Sequence, residues 1–266
     1  MDRKINLLVD NIEKVIVGKR NAILQVITAL LAEGHVLLED VPGVGKTQLA
    51  AALSRSVSGS FNRIQMTPDI MPSDITGFSM INKQTGEFEY RKGAAFCNFL
   101  LADEINRASP KAQSSLLEVM EEHQISIDGN TYALPNPFMT LATQNPVETY
   151  GTYHLPEAQM DRFIMKISMG YPSPKEEISV LDKNEYDNPI AGINAVLNID
   201  DIIALQERVK QVRAAENVKS YIISIAAATR TNENIKLGVS PRGSIALYKT
   251  AKAFAFINER DFITPD

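Results

Sequence analysis

The sequence predicts an α/β domain followed by a smaller helical one. Three observations carry that prediction. An apolar run at 36–39 (Val-Leu-Leu-Glu) ends in the turn Asp40-Val41-Pro42-Gly43-Val44-Gly45 and reopens as a helix at Lys46-Thr47. A second apolar run, 96–102, leads directly into Asp103-Glu104. Beyond Tyr171-Pro172-Ser173-Pro174 the β-branched strand patterns stop and helical periods take over. The boundary therefore falls between a domain at 1–171 and another at 172–266.

Strand, glycine turn and helix in that order make a phosphate-binding loop. Consecutive backbone N–H groups wrap the phosphates, and the helix N-terminus adds a positive field. Lys46 is placed to reach the β- and γ-phosphates, and the Thr47 hydroxyl to bind Mg²⁺. Gln48 follows on the same helix. Asp40 stands where the general pattern has glycine. Asp103 and Glu104 complete the chemistry. A buried strand that ends in two carboxylates needs a reason for their charge, and Mg²⁺ with phosphate supplies one. Asp103 is the metal ligand in this reading, and Glu104 polarises the attacking water.

The rest of the chain is read around these two motifs. Ile5, Leu8, Val9 and Ile12 share a helical face, and Ile23, Val26, Ile27, Leu30 and Leu31 share another. Val17-Gly18 breaks the two helices and is a plain boundary or a border to the nucleotide base. Gly34 is the expected C-cap of the second helix. A helix over 46–57 and a short strand over 63–66 follow. Residues 67–74 look turn-rich and irregular. Thr85-Gly86 turns a hairpin at about 80–92, either a surface excursion or a contact element. Ser109-Pro110 opens a helix to 122, and Asp128-Gly129 turns a second hairpin within 124–135. A strand at 138–143 delivers Asn145, whose carboxamide can orient water or touch a γ-phosphate. A short helix from Pro156 and a strand at 163–168 flank Arg162, which either pairs locally with Asp161 or reaches an adjacent subunit. The second domain reads as helices at 175–182, 200–212 (capped by Asp200), 218–230 and 241–257. Ser240-Pro241 caps the last of these. Arg242 in its first turn opposes the helix dipole, so an anion is expected beside it: an ATP phosphate or a carboxylate.

Composition narrows the function. The 266 residues are 44% hydrophobic, with 27 basic and 32 acidic residues and a net charge of -5. That balance argues against a broad nucleic-acid footprint. The single cysteine excludes a disulfide framework. No signal-peptide core follows the N-terminus and no apolar stretch is long enough to span a bilayer, so a cytoplasmic protein without membrane insertion is expected.

Together the phosphate loop, Leu-Ala-Asp-Glu-Ile-Asn-Arg-Ala at 101–108, Thr-Gln-Asn-Pro at 143–146, Gln-Met-Asp-Arg-Phe at 159–163 and Gly-Val-Ser-Pro-Arg at 238–242 resemble the MoxR family of AAA+ ATPases. The Pro-Asp-Ile-Met-Pro-Ser-Asp-Ile-Thr-Gly stretch before Phe78 is similar too. The resemblance implies a five-stranded parallel sheet of order 5-1-4-3-2 and an all-helical lid, one that would continue past Asp266. It makes Asn145 the first sensor, Arg162 an arginine finger acting on the neighbouring subunit, and Arg242 the second sensor. It places Val17 and Gly18 beside adenine. It identifies 80–92 as a helix-two insert and 124–135 as a pre-sensor hairpin. The implied activity is Mg²⁺-dependent ATP hydrolysis by a ring, a hexamer, that remodels a client protein, helped by a partner with a von Willebrand factor A domain. Alternatives from the same superfamily are a DNA-translocating or chelatase-type motor and a nucleotide-gated scaffold with little turnover.

Overall fold

A computed structural model describes residues 1–41, 43–146, 151–186 and 189–265. The phosphate-loop residue Pro42 and the final Asp266 lie outside the described residues. Helix α1 (Arg3–Glu13) begins where the Asp2 carboxylate accepts the Lys4 N–H, and it buries Ile5, Leu8, Val9 and Ile12. Helix α2 (Arg20–Leu31) resumes after the break at Gly18. Its C-terminus corrects one expectation: the left-handed residue is Glu33 (φ 56°), not Gly34. Gly34 sends its N–H back to the Ala29 carbonyl and is glycine for space, since a Cβ would lie 2.4 Å from Ile164 Cγ2.

Strand β1 (Val36–Glu39) and helix α3 (Lys46–Ser56) flank the phosphate loop, and β2 (Phe61–Gln65) follows. The stretch expected to be irregular contains α4 (Pro72–Thr76), opened by the Asp74 carboxylate accepting the Met71 N–H. Strands β3 (Gly77–Ile81) and β4 (Phe88–Lys92) form the first hairpin. Strand β5 covers Phe99–Asp103 rather than 96–102, because Asn98 is tied elsewhere. Its backbone N–H donates to Ser60 Oγ, and its side chain donates to the Pro137 carbonyl and accepts from Ser60. A 3-10 turn at Ile105–Arg107 leads to α5 (Pro110–Glu122). Strands β6 (Gln124–Ile127) and β7 (Asn130–Ala133) make the second hairpin, with Asp128 and Gly129 both at positive φ. Then come β8 (Met139–Gln144), α6 (Glu157–Met160) and β9 (Met165–Ile167).

The main sheet runs β2-β5-β8-β1-β9, all parallel. Counted as five core strands along the chain, this is the expected order 5-1-4-3-2. One face, with Val36, Leu38, Leu101 and Leu141, is covered by α1, α2 and α3; the other, with Leu37, Leu100 and Ala142, by α5. Burial on both faces explains why these strands read as continuous apolar runs rather than alternating ones.

The C-terminal region is helical as expected: α7 (Pro174–Tyr186), α8 (Ile199–Lys210), α9 (Glu216–Thr231) and α10 (Pro241–Ile257). The cap of α8 is Asn198, in a reciprocal box with Asp201, and not Asp200. Helices α8 and α10 pack along α2, so Ile202, Leu205, Val209, Ala253 and Phe256 join the same apolar core as α1–α3. Gln206 donates to the Leu30 carbonyl, and Lys210 pairs with Glu33 at 2.7 Å. Among the described residues no helix is long and apolar enough to cross a membrane.

Candidate nucleotide site

Because the sheet is parallel, every core strand delivers its C-terminal residues to one edge, where open α/β sheets hold ligands. The phosphate loop follows β1 there, Asp103 ends β5 with Glu104 next, and Asn145 follows β8. The loop carries the backbone its chemistry needs. Gly43 (φ 85°) and Gly45 (φ 90°) are left-handed, and a Cβ on Gly43 would meet nothing within 4 Å. That open space beside N–H-bearing backbone at the start of α3 fits a phosphate. Val41, Val44, Thr47 and Gln48 are half-buried around it. Lys46 Nζ donates to the Asp40 carbonyl at 2.6 Å, close to where phosphate oxygens would take over.

Asp40 acts differently from a phosphate contact. Its buried carboxylate accepts the N–H groups of Met169 and Gly170 and the Ser168 hydroxyl (3.2 Å). Its own N–H donates to the Gln144 carbonyl at 3.2 Å. The residue that replaces the general glycine therefore ties the loop to the segment leading from β9 into α7. Asp40 is not among the positive-φ residues, so glycine is not required here.

The acidic pair is held by Thr143 and Arg107, from the quoted motifs, and by Arg63 and Gln65, which belong to no motif. Asp103 Oδ1 accepts the Thr143 hydroxyl (2.6 Å), and Oδ2 accepts Arg63 Nη2 (2.7 Å). Thr143 Oγ1 also accepts the Glu104 N–H (2.8 Å). Glu104 sits at φ 57°, and its Oε2 accepts from Gln65 Nε2 (2.8 Å) and Arg107 Nη1 (2.9 Å). Only the strand order brings Arg63, Gln65 and Thr143 here, from β2 and β8 on either side of β5. The donor set of Thr47 hydroxyl and Asp103 carboxylate, with phosphate oxygens completing it, suits a hard cation such as Mg²⁺. Asn145 is buried at the same edge.

The break between α1 and α2 meets the segment that opens α7. Gly18 (φ 70°) lies so close to the start of α7 that a Cβ would fall 1.8 Å from Glu176 Oε1, and Lys19 Nζ donates to the Tyr171 carbonyl at 2.8 Å. Gly18 and Lys19 thus meet residues 171–176, next to Val17 in the chain.

The two arginines are not at this edge. Arg162 precedes β9, whose neighbour Ile164 donates to the carbonyl of His35, the residue before β1. That is the N-terminal edge of the sheet, a strand length of roughly 13 Å from the phosphate loop. Arg162 Nη1 donates to the Leu117 carbonyl (2.9 Å) and lies 3.6 Å from Glu121. Asp161, its expected competitor, instead accepts the Ser240 hydroxyl (2.6 Å). Arg242 Nη2 donates to the other Glu121 oxygen (2.7 Å). Of the two anions expected beside Arg242, this chain supplies the carboxylate, because α10 packs along α2 rather than over the loop.

A phosphate loop, an acidic strand end and a helical region after a 5-1-4-3-2 sheet define a P-loop ATPase of the AAA+ class. The profile of the ATPase family associated with various cellular activities (AAA) matches residues 35–165, and that of the AAA lid domain matches 227–266. Chaperone MoxR1 of Mycobacterium tuberculosis is 41% identical over 96% of this chain and 69% of its own length. The uncharacterized protein YeaC of Bacillus subtilis is 54% identical over 97% of this chain and 81% of its own. A crystal structure of a candidate ATPase from Cytophaga hutchinsonii superposes with a TM-score of 0.90 at 41% identity, covering 98% of this chain and 82% of the other. The chain belongs to the MoxR family of AAA+ ATPases and is an ATPase.

Proposed function

We propose that the chain hydrolyses ATP at sites shared between neighbouring subunits of a ring, a hexamer, and uses the cycle to remodel a client protein. The observation that carries this reading is the split of the machinery. Phosphate loop, Asp103, Glu104 and Asn145 occupy one sheet edge, while Arg162 and Arg242 occupy the opposite one. Neither arginine serves the phosphates of its own chain. Stacked head to tail, one subunit's arginines face the next subunit's ATP.

In that arrangement Lys46 and the loop N–H groups hold the phosphates, and Val17 and Gly18 border adenine. Glu104, freed from Gln65 and Arg107, positions the lytic water, and Asn145 fixes its orientation. Arg162 and Arg242 stabilise charge on the transferring phosphoryl from across the interface. Mg²⁺, held by Thr47 and through Asp103, would neutralise phosphate charge. Asp103 keeps its geometry through Thr143 and Arg63.

The chaperone reading draws on MoxR1, which is named as one. The von Willebrand factor A domain partner, the unidentified client and a cytoplasmic location come from the family resemblance. The two hairpins suit a client contact. Tyr90 stacks on Tyr132 at 4.2 Å, which joins them, and Phe88 is 77% exposed at the end of the first.

The test mixes Arg162→Ala subunits with Lys46→Ala subunits, each of which should be inactive alone. Interfaces that pair an intact pocket with an intact arginine should restore ATPase activity. Assembled mixtures that stay inactive would refute the shared site.

A further inference from the structure

The geometry points to Glu121 as a positioning residue that sets Arg162 and Arg242 as one unit for the neighbouring subunit's ATP. This rests on the shared-site reading above.

The two arginines come from different parts of the chain, one before β9 and the other in the first turn of α10. They reach the same carboxylate from opposite sides: Arg242 Nη2 to Oε1 at 2.7 Å, and Arg162 Nη1 to Oε2 at 3.6 Å. Glu121 sits in the last turn of α5 with its side chain 39% exposed, so the group lies at the surface where a neighbour would approach. Two guanidinium groups this close repel one another, and Arg242 also opposes the dipole of its own helix. Glu121 answers both costs. Among the described residues, each arginine has a further restraint nearby. Leu117 O fixes Arg162, and the Ser240–Asp161 bond anchors the cap of α10. Those restraints hold the backbones and one guanidinium nitrogen. Among the described residues, Glu121 is the side chain that touches both charges and sets them relative to each other. The three side chains together carry a net charge of +1, enough to attract a triphosphate.

Positioned charge is effective in catalysis because it needs no reorganisation during the reaction. Misplacing a catalytic group by about 1 Å can cost on the order of 100-fold. Removing the Glu121 carboxylate should therefore lower turnover without touching the pocket that binds ATP.

The experiment uses the full chain under conditions where it assembles. Glu121→Ala and Glu121→Gln are made, and kcat, KM for ATP and binding of a fluorescent ATP analogue are measured. The expected result is a loss of roughly 10- to 100-fold in kcat, with KM and analogue binding unchanged and Glu121→Gln intermediate. Glu121→Ala is then mixed with Lys46→Ala and, separately, with Arg162→Ala. Activity should return with Lys46→Ala, which contributes an intact arginine pair, and not with Arg162→Ala, which lacks one. Unchanged or raised kcat in Glu121→Ala overturns the proposal. So does rescue by Arg162→Ala, or failure of rescue by Lys46→Ala when the Arg162→Ala and Lys46→Ala pair does recover. If that control pair itself stays inactive, the shared site falls and Glu121's role falls with it.

Discussion

His35 should make this protein's stability depend on pH between about 6.5 and 4. The ring is buried between β1, β8 and α5. Its Nε2–H donates to the Met120 carbonyl (2.9 Å), and its Nδ1 accepts the Thr140 N–H (3.0 Å). That second bond requires a neutral ring. Burial pushes the imidazole down to about 4 from its ordinary 6.5, and His123, stacked at 5.7 Å, adds repulsion. The sign follows from proton uptake. Between those two values the unfolded chain binds a proton at this position and the folded chain does not, so acid favours unfolding. The stabilisation is complete above pH 6.5, is lost as pH falls, and is exhausted below about 4. At about 1.4 kcal/mol for each pH unit, the window is worth about 3 kcal/mol. Urea unfolding at several pH values, in the parent and in His35→Gln, isolates the contribution of the His35 ring, its repulsion with His123 included. The parent's unfolding free energy should fall more steeply than the variant's between pH 6.5 and 5. Parallel slopes would refute the reasoning, whatever the variant's absolute stability.

Three further outcomes are expected. Glu104→Gln should keep ATP binding and lose at least about 100-fold in turnover; phosphate release at the parent rate would remove Glu104 from its role. Asp40→Ala strands the Met169 and Gly170 N–H groups and should cost about 2–4 kcal/mol, read by urea unfolding; a null effect would show that the tie between loop and linker is weak. Gly77→Ala puts a Cβ 2.2 Å from the Arg91 carbonyl at φ 94°, and about 2 kcal/mol of destabilisation should follow. Hydrogen exchange across 77–92 localises it, and unchanged protection would count against the strain.

Local signals carried the elements far. The loop at 40–47, the Asp-Gly hairpin, the Ser-Pro helix starts and the four C-terminal helices are written in neighbouring residues, because capping and turn chemistry act within a few positions. Strand edges were less legible. Nothing adjacent to Phe96-Cys97-Asn98 says that Asn98 is taken by Ser60 and Pro137. The sheet order came from the family resemblance, since apolar runs do not say which strand lies beside which. The site divides the same way. Lys46, Thr47, Asp103 and Glu104 stand in motifs whose spacing reports their chemistry. Arg63, Gln65 and Glu121 do not, because each gains its role only when strands or helices distant in sequence are packed together; Thr143 stands in the Thr-Gln-Asn-Pro motif, but its bond to Asp103 comes from the pairing of β5 with β8. Asp40 was visible as a departure from glycine, but its partners at 168–170 lie about 130 residues away.

The polarity of the parallel sheet has a consequence for assembly. If loop and arginines belong to the two halves of one site, the joining surface is heterologous: one subunit's C-terminal edge meets the next subunit's N-terminal edge. Two subunits related by a two-fold axis would place like edges together and complete no site. A linear arc of subunits would leave an unused pocket at one end and unused arginines at the other, so each arc has one fewer working site than it has subunits. Closing the ring makes the numbers equal. Turnover per subunit should therefore rise with assembly size until closure and stay constant beyond it.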